Sequence, residues 1–175
     1  LTQEIGFTIS KKSITLPAFE TKTVTYDGKA HTAVVEESDY YTVDLSKATG
    51  VGSAGEYEVR VTLNDTNYKW ANGEETLVKT FTFTIEKVTD NAWTKQPSMH
   101  GWTYSEEQVN ASAEAKFGAD KITYFKNGES FEALPEKLNA GEYSVVFSVA
   151  ETENYNGLTQ EIGFTISKKS ITLPA

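Results

Sequence analysis

Short runs in which apolar and polar residues alternate are the clearest pattern along this chain. In residues 56–63 (EYEVRVTL) every second residue is apolar, and the same period recurs in residues 80–85, 142–149 and 161–166. Because successive side chains of a β-strand point to opposite faces, each run predicts a strand with one buried face. Helical spacing is scarce, and we interpret its best candidate, residues 112–117, as strand or loop because it is too short to form a helix alone. The predicted buried residues are Tyr57, Val59, Val61, Leu63, Phe81, Phe83, Ile85, Tyr143, Val145, Phe147, Val149, Ile162, Phe164 and Ile166.

Two repeats organise these strands. The eighteen residues LTQEIGFTISKKSITLPA occur at positions 1–18 and again, without a difference, at 158–175, which sets a period of 158 − 1 = 157 residues. A weaker repeat lies inside that period, because Ala-Gly-Glu-Tyr occurs at 54–57 and at 140–143. A period of this length holds complete domains. We therefore expect the chain to be one period of a longer tandem array.

The inner repeat divides the period into two domains of similar size. We predict domains over residues 12–87 and 88–167, with residues 1–11 as the last strand of a preceding repeat and 168–175 as the first strand of the following one. The links lack Gly/Ser-rich or Pro-rich sequence, so we expect a semi-rigid rod that lengthens by roughly 70 to 80 Å per period. Residues 1–10 have no domain of their own, and we expect them to lie against the first domain or to pair with a neighbouring molecule.

Composition limits the class of protein. Hydrophobic residues make up 38% of the chain and aromatic residues 12%, which favours a folded protein, and no apolar run approaches the length of a membrane span. There is no cysteine, so aromatic residues must supply much of the packing. The net charge of −9 argues against nucleic acid as a partner.

Several of these motifs resemble a known group of repeats. Thr25-Tyr26-Asp27-Gly28 opens the first domain, Ala-Gly-Glu-Tyr follows, and Phe-Thr-Ile closes it at residues 83–85; the second domain has Thr103-Tyr104 in the first of these positions. This resembles the YDG/MBG group of Ig-like repeats in large bacterial cell-surface, adhesin-like proteins. The resemblance implies an extracellular all-β domain without catalytic residues to carry over.

The motifs themselves indicate turns. Asp27-Gly28 after an apolar strand is a tight-turn signal, because glycine adopts positive φ freely. The tyrosine that begins each Glu-Tyr strand has the position of a tyrosine corner. Several short strands separated by turns favour two tandem Ig-like β-sandwich domains, with β-grasp-like domains as the alternative.

Candidate chemistry is sparse. His31 and His100 lack the spacing of metal ligands or of a catalytic triad, and the adjacent glutamates at 36–37, 74–75 and 106–107 would point to opposite faces of a strand. We therefore predict no enzyme and no cofactor. Oxygen-bearing residues on two equivalent loops and at the domain junction leave calcium as an alternative to turn capping; they are Asn64, Asp65, Asn67, Asp90, Asn91, Glu151, Glu153 and Asn154. An intramolecular isopeptide bond also stays open, because lysine and asparagine are abundant.

The tryptophans are the remaining candidates for recognition. Trp102 aligns with Val24 and is assigned to the core, and Trp93 is expected between the domains. Trp70, with Tyr68 and Tyr155, is the candidate exposed platform for a ligand. The leading hypothesis is a stalk that holds a terminal domain away from the bacterial surface and whose partners are neighbouring repeats. The alternative is a multivalent adhesive module that binds host glycan or protein.

Overall fold

The computed structural model describes residues 2–173. Leu1 and residues 174–175, the outer ends of the two predicted flanking strands, lie outside the described residues. The described residues are all-β and contain no helix, and so none that could cross a membrane. The strands are β1 (Lys12–Ile14), β2 (Phe19–Thr21), β3 (Thr23–Thr25), β4 (Val34–Val35), β5 (Tyr41–Asp44), β6 (Gly55–Leu63), β7 (Tyr68–Trp70), β8 (Val78–Glu86), β9 (Trp93–Ser98), β10 (Trp102–Thr103), β11 (Ser112–Ala115), β12 (Asp120–Lys126), β13 (Glu129–Phe131), β14 (Gly141–Val149) and β15 (Leu158–Ser167).

The strands form two compact units: unit 1 ends at Lys87 and unit 2 begins at Val88. In unit 1 the main sheet has the order β3-β8-β6-β5, with β3 parallel to β8 and the other pairs antiparallel. Two smaller sheets accompany it: β1 runs parallel to β7, and β2 runs antiparallel to β4. Both small sheets place apolar side chains in the clusters that cover the main sheet.

Unit 2 repeats this plan. Its main sheet has the order β10-β15-β14-β12-β13, with β10 parallel to β15 and the other pairs antiparallel. A two-stranded sheet of β9 and β11 contributes to the same core as the main sheet. In both units, therefore, apolar side chains of a main sheet pack with those of one or two smaller sheets, which is a sandwich-like arrangement.

The two units match in register as well as in order. Val24 on β3 pairs with Ile85 on β8, and Trp102 on β10 pairs with Ile166 on β15. Because Ile85 and Ile166 end the two Phe-Thr-Ile motifs, the predicted alignment of Trp102 with Val24 is confirmed. Trp102 packs partly buried against the core of unit 2, as predicted, and Trp93 packs against the same core.

The four strands predicted from alternation are all present, as β6, β8, β14 and β15. Their predicted inward residues are buried or partly buried. Residues 112–115 form β11, so the choice of strand or loop over helix is confirmed for this segment. The β-grasp alternative is not supported, because that fold packs a helix on its sheet and residues 2–173 contain none.

The two copies of the repeated passage adopt different structures. Residues 2–11 form no strand and leave Ile5, Phe7 and Ile9 79 to 85% exposed, whereas the same sequence forms β15 in unit 2. The expectation that residues 1–10 lie against the first domain is therefore wrong for the described part of this segment. The physical reason is that this sequence pairs with β14 and β10 of unit 2. The second copy, as β15, already occupies the position between those two strands.

Candidate functional site

The second copy of the repeated passage is built into the main sheet of unit 2. β15 pairs antiparallel with β14 from Gly141 opposite Ile166 to Val149 opposite Leu158, and pairs parallel with β10 at its other edge. Phe164 is buried, and its ring stacks on Trp102 at 5.7 Å and on Tyr143 at 5.4 Å between ring centroids. These residues of the passage therefore complete the core of unit 2.

The first copy uses the other half of the same passage. Lys12 donates its backbone N–H to Asn67 at 2.8 Å, and Ala71 donates to Ile14 at 2.7 Å, so β1 is held at both ends. Ile14 is buried beside Trp70 in the core of unit 1. Its counterpart in the second copy, Ile171, is 88% exposed. In the first copy, therefore, a segment of the second half of the passage is folded into unit 1, and in the second copy the first half is folded into unit 2.

A tyrosine fixes the corner before the long central strand of each unit. The hydroxyl of Tyr57 donates to the carbonyl of Ser53 at 2.6 Å, and that of Tyr143 donates to the carbonyl of Asn139 at 2.8 Å. Each bond reaches back four residues and ties the loop before β6 or β14 to its sheet. The hydroxyl-to-backbone bond of a tyrosine corner, predicted from the Glu-Tyr motif, is present in both units.

The predicted aromatic platform is not assembled as expected. Trp70 is fully buried in unit 1, so the prediction that its ring is exposed is wrong, and its indole nitrogen has no hydrogen-bond partner within residues 2–173. The reason is that Trp70 shares a buried cluster with Tyr41, whose ring centroid is 6.0 Å away, and with Ile14 on the paired strand β1. Tyr155 is partly buried in unit 2, where its ring stacks on Phe117 at 6.0 Å.

Tyr68 belongs to a different aromatic surface, which the sequence did not reveal. Its ring meets the exposed Tyr40 edge-on at 5.7 Å, and the Lys12 ammonium lies 3.8 Å from the centre of the Tyr40 ring. Beside them a groove of about 440 Å³ runs between residues 12–16 and residues 36–41. We call Tyr40, Tyr68 and Lys12 the aromatic surface of unit 1. Nothing in local spacing marks Tyr40, because its neighbours come from strands far away in the sequence.

The Tyr-Asp-Gly motif forms the turn that was predicted for it. Gly28 has a positive φ of 81°, and the Asp27 carboxylate accepts the backbone N–H of Lys29 at 2.9 Å. His31 Nε2 lies 2.8 Å from the same carboxylate. The backbone hydrogen bond from Lys29, followed by that of the His31 side chain, lowers the pKa of Asp27 below its ordinary value. These interactions stabilise a turn and assemble no reactive group.

Unit 2 closes the equivalent turn without Asp-Gly. Ser105 adopts a positive φ of 70°, and the Glu106 side chain accepts the backbone N–H of Thr103 at 3.0 Å. Tyr104 donates its backbone N–H to Ser167 at 2.8 Å, as Tyr26 donates to Glu86 in unit 1 at 2.9 Å. In this turn, therefore, a serine adopts the positive φ and a glutamate side chain is the acceptor.

Several of the residues considered for calcium bind protein groups. Asp65 accepts the backbone and side-chain N–H groups of Asn67 at 2.7 and 3.0 Å, and Asn64 accepts the Thr42 hydroxyl at 2.7 Å. The buried Asn91 donates to the carbonyls of Phe117 and Asn156. Among residues 2–173 no three His, Cys, Asp or Glu side chains are grouped in a way that could hold a metal ion.

Some of the remaining titratable candidates also have local partners. Glu74 accepts a hydrogen bond from Lys79 at 2.6 Å, which lowers the pKa of Glu74. Glu75 lies 3.5 Å from Lys11, and His100 lies 3.4 Å from the Ser98 hydroxyl. Each of these three pairs joins a carboxylate or an imidazole to a lysine or a hydroxyl, and none of them brings together the two carboxylates that carboxylate catalysis needs.

Comparison of the chain with models of known protein families and with curated proteins finds no match.

Proposed function

We propose that this chain is a structural spacer: one period of a tandem array of Ig-like β-sandwich units that extends a terminal functional domain from a bacterial cell surface. One observation carries the proposal. The first ten residues of the repeated passage fold into unit 2 at its second occurrence, and later residues of the passage fold into unit 1 at its first occurrence. In an array, a single passage would therefore end one unit and begin the next.

The positions of the strands leave little chain for a hinge. β15 ends at Ser167, and the residue equivalent to the start of β1 is Lys169, so Lys168 alone would join consecutive periods. Inside the period, β8 ends at Glu86, and Val88 already exchanges backbone hydrogen bonds with Asn154 and Asn156 in unit 2, at 2.9 and 3.0 Å. Links of one residue favour stiffness over free rotation.

The Ig-like assignment and the extracellular location are part of the same proposal. The tyrosine bond at the corner of each unit, the sandwich-like packing and the resemblance to YDG/MBG repeats support the fold. A chain without cysteine has no thiol to protect in oxidising surroundings, which suits an extracellular position. The partners are neighbouring repeats of the same chain, and no catalytic or cofactor role is assigned.

Small-angle X-ray scattering on chains of one, two and three periods tests the spacer function. A stiff array increases its maximum dimension almost linearly, by roughly 70 to 80 Å per period. A flexible array instead gives dimensions that grow with about the square root of the number of periods. Square-root growth, or a compact particle, would reject the proposal while leaving the fold of each unit unaffected.

A second candidate is a multivalent adhesive module, favoured by the aromatic surface of unit 1 and its groove. Exposed tyrosine rings stack on sugars, and each period would add one weak site. Glycan-array binding that is lost in Tyr40→Ala and retained in Trp70→Phe would support this candidate. Binding that depends on none of Tyr40, Tyr68 and Lys12 would reject it.

A further inference from the structure

Residues 2–10 present the sequence of a folded strand without being folded. They are identical to residues 159–167, which lie in β15, yet Ile5, Phe7 and Ile9 are exposed while their counterparts in β15 pack inward. We propose that residues 2–10 act as a donor strand for unit 2 of a second copy of this chain, where they replace β15. The occupant is a second copy because identity of sequence guarantees every contact and the register.

The position that accepts the donor is defined on both sides. β14 offers nine paired residues along one edge, and β10 offers two along the other. Between them Phe7 would take the place of Phe164, stacked on Trp102 and Tyr143. Ile5 would take the place of Ile162, and Ile9 would take the place of Ile166, whose side chain is 1% exposed. The exchange therefore buries three exposed apolar side chains of the donor at the cost of exposing three in the displaced strand.

Unit 2 makes the same contacts with its own β15 as with a donor strand from another molecule. The equilibrium between the two therefore depends on how each strand is connected to unit 2. β15 is joined directly to unit 2, so its effective concentration at the site is in the millimolar range for a short connection. A donor from another molecule competes only when the protein itself approaches that concentration, or when β15 is weakened. We thus expect the native chain to be monomeric when dilute and to exchange strands when concentrated.

The second half of the passage gives the exchange a direction. In the donor, residues 12–14 remain in unit 1 as β1 while residues 2–10 enter the acceptor, so the two molecules are joined head to tail. The proposal does not depend on the spacer function, since donation in trans requires only that unit 2 accept the first copy of the passage.

Matched substitutions in the two copies provide the first test. Phe164→Asp should disable β15 but leave the donor intact, so this variant should form oligomers that grow with concentration in analytical ultracentrifugation, with β14 protected from hydrogen exchange. Phe7→Asp, which disables the donor strand, should stay monomeric at every concentration tested. The double variant, with neither strand usable, should stay monomeric and lose the protection of β14. If Phe164→Asp and the double variant have the same mass and the same exchange, or if Phe164→Asp protects β14 as a monomer, the proposal is wrong.

A second test leaves β15 intact and so does not depend on how well Phe164→Asp folds. Thr159 pairs with Ser148, and Thr159 is the counterpart of Thr2, so Thr2→Cys with Ser148→Cys should form an intermolecular disulfide when the concentrated protein is oxidised. The chain has no cysteine of its own, and Thr2→Cys with Ser130→Cys on the exposed part of β13 measures random cross-linking. At least fivefold more linked dimer for the 2–148 pair is expected. Equal yields would overturn the proposal.

Discussion

The ammonium nitrogen of Lys126 lies 2.7 Å from the hydroxyl oxygen of Tyr143, which in turn donates to the carbonyl of Asn139 at 2.8 Å. Tyr143 is buried at the start of β14, so its hydroxyl joins a strand, a loop and a charged side chain. Tyr57 makes the same bond to the loop in unit 1. At the corner of unit 2, therefore, a lysine side chain joins the hydroxyl-to-backbone bond that both units share.

Removing the Tyr143 hydroxyl should destabilise unit 2. Tyr143→Phe is expected to lower the free energy of unfolding of unit 2 by about 1 to 2 kcal/mol, because it leaves the carbonyl of Asn139 without its donor and Lys126 without its acceptor. Hydrogen exchange of β14 in increasing urea measures the change. Lys126→Met is the matched control, because it keeps the bond to Asn139 and should cost less. A Tyr143→Phe variant as stable as the native protein would contradict the role given to this corner.

Gly101 should not tolerate a side chain. A Cβ at this position would lie 2.0 Å from the carbonyl oxygen of Thr165 on β15, and that oxygen belongs to the backbone of a paired strand. Gly101→Ala is therefore expected to cost about 1 to 3 kcal/mol or to separate β10 from β15. Gly163→Ala is the control, since its Cβ would meet only the carbonyl of Tyr143 at 3.9 Å. Thermal melting of both variants, followed by near-ultraviolet circular dichroism, distinguishes them.

Asp27 should make the stability of unit 1 depend on pH in the acid range. The backbone hydrogen bond of Lys29 and the side chain of His31 hold the pKa of Asp27 below its ordinary value of 3.8, which means that folding favours the ionised carboxylate. The contribution is complete above the pKa of the unfolded chain and is lost as the pH falls through the lower pKa of the folded state. Asp27→Asn should thus be less stable than the native protein at neutral pH, and the difference should shrink below about pH 3.8. Urea midpoints of unit 1 measured from pH 7 to pH 2.5 provide the check, and a difference that does not change with pH would refute this role.

The all-β class and the long strands were predictable from the sequence because these strands are amphipathic. Alternation over eight residues, as in the run that became β6, depends only on which face is buried, and that information is local. The shortest strands carry too few residues for a period: β4 has two, and β10 has two. Their positions depend on partners far along the chain, such as Ile166 for Trp102.

The surfaces were less predictable than the strands. Trp70 was the candidate for an exposed ring because Trp102 and Trp93 were assigned elsewhere, but Ile14 of β1 packs in the same buried cluster as Trp70. Tyr40, which forms the aromatic surface in its place, meets Tyr68 only through the pairing of distant strands. The closed turn at Ser105 likewise required a glutamate side chain, at Glu106, that no turn motif indicates.

The repeated passage allows the same side chain to be tested in two environments within one molecule. Phe164 is 6% exposed and stacks on two rings, whereas Phe7, with identical neighbours in sequence, is 85% exposed. Phe164→Ala should lower the free energy of unfolding of unit 2 by about 3 to 5 kcal/mol, and Phe7→Ala should change it by less than about 0.5 kcal/mol. Differential scanning calorimetry of dilute protein measures both changes and excludes exchange between molecules. Because the local sequence is the same at the two sites, any difference between the two losses of unfolding free energy arises from tertiary packing alone. Equal losses would mean that residues 2–10 are folded in solution, which would contradict the exposed position that the structure gives them.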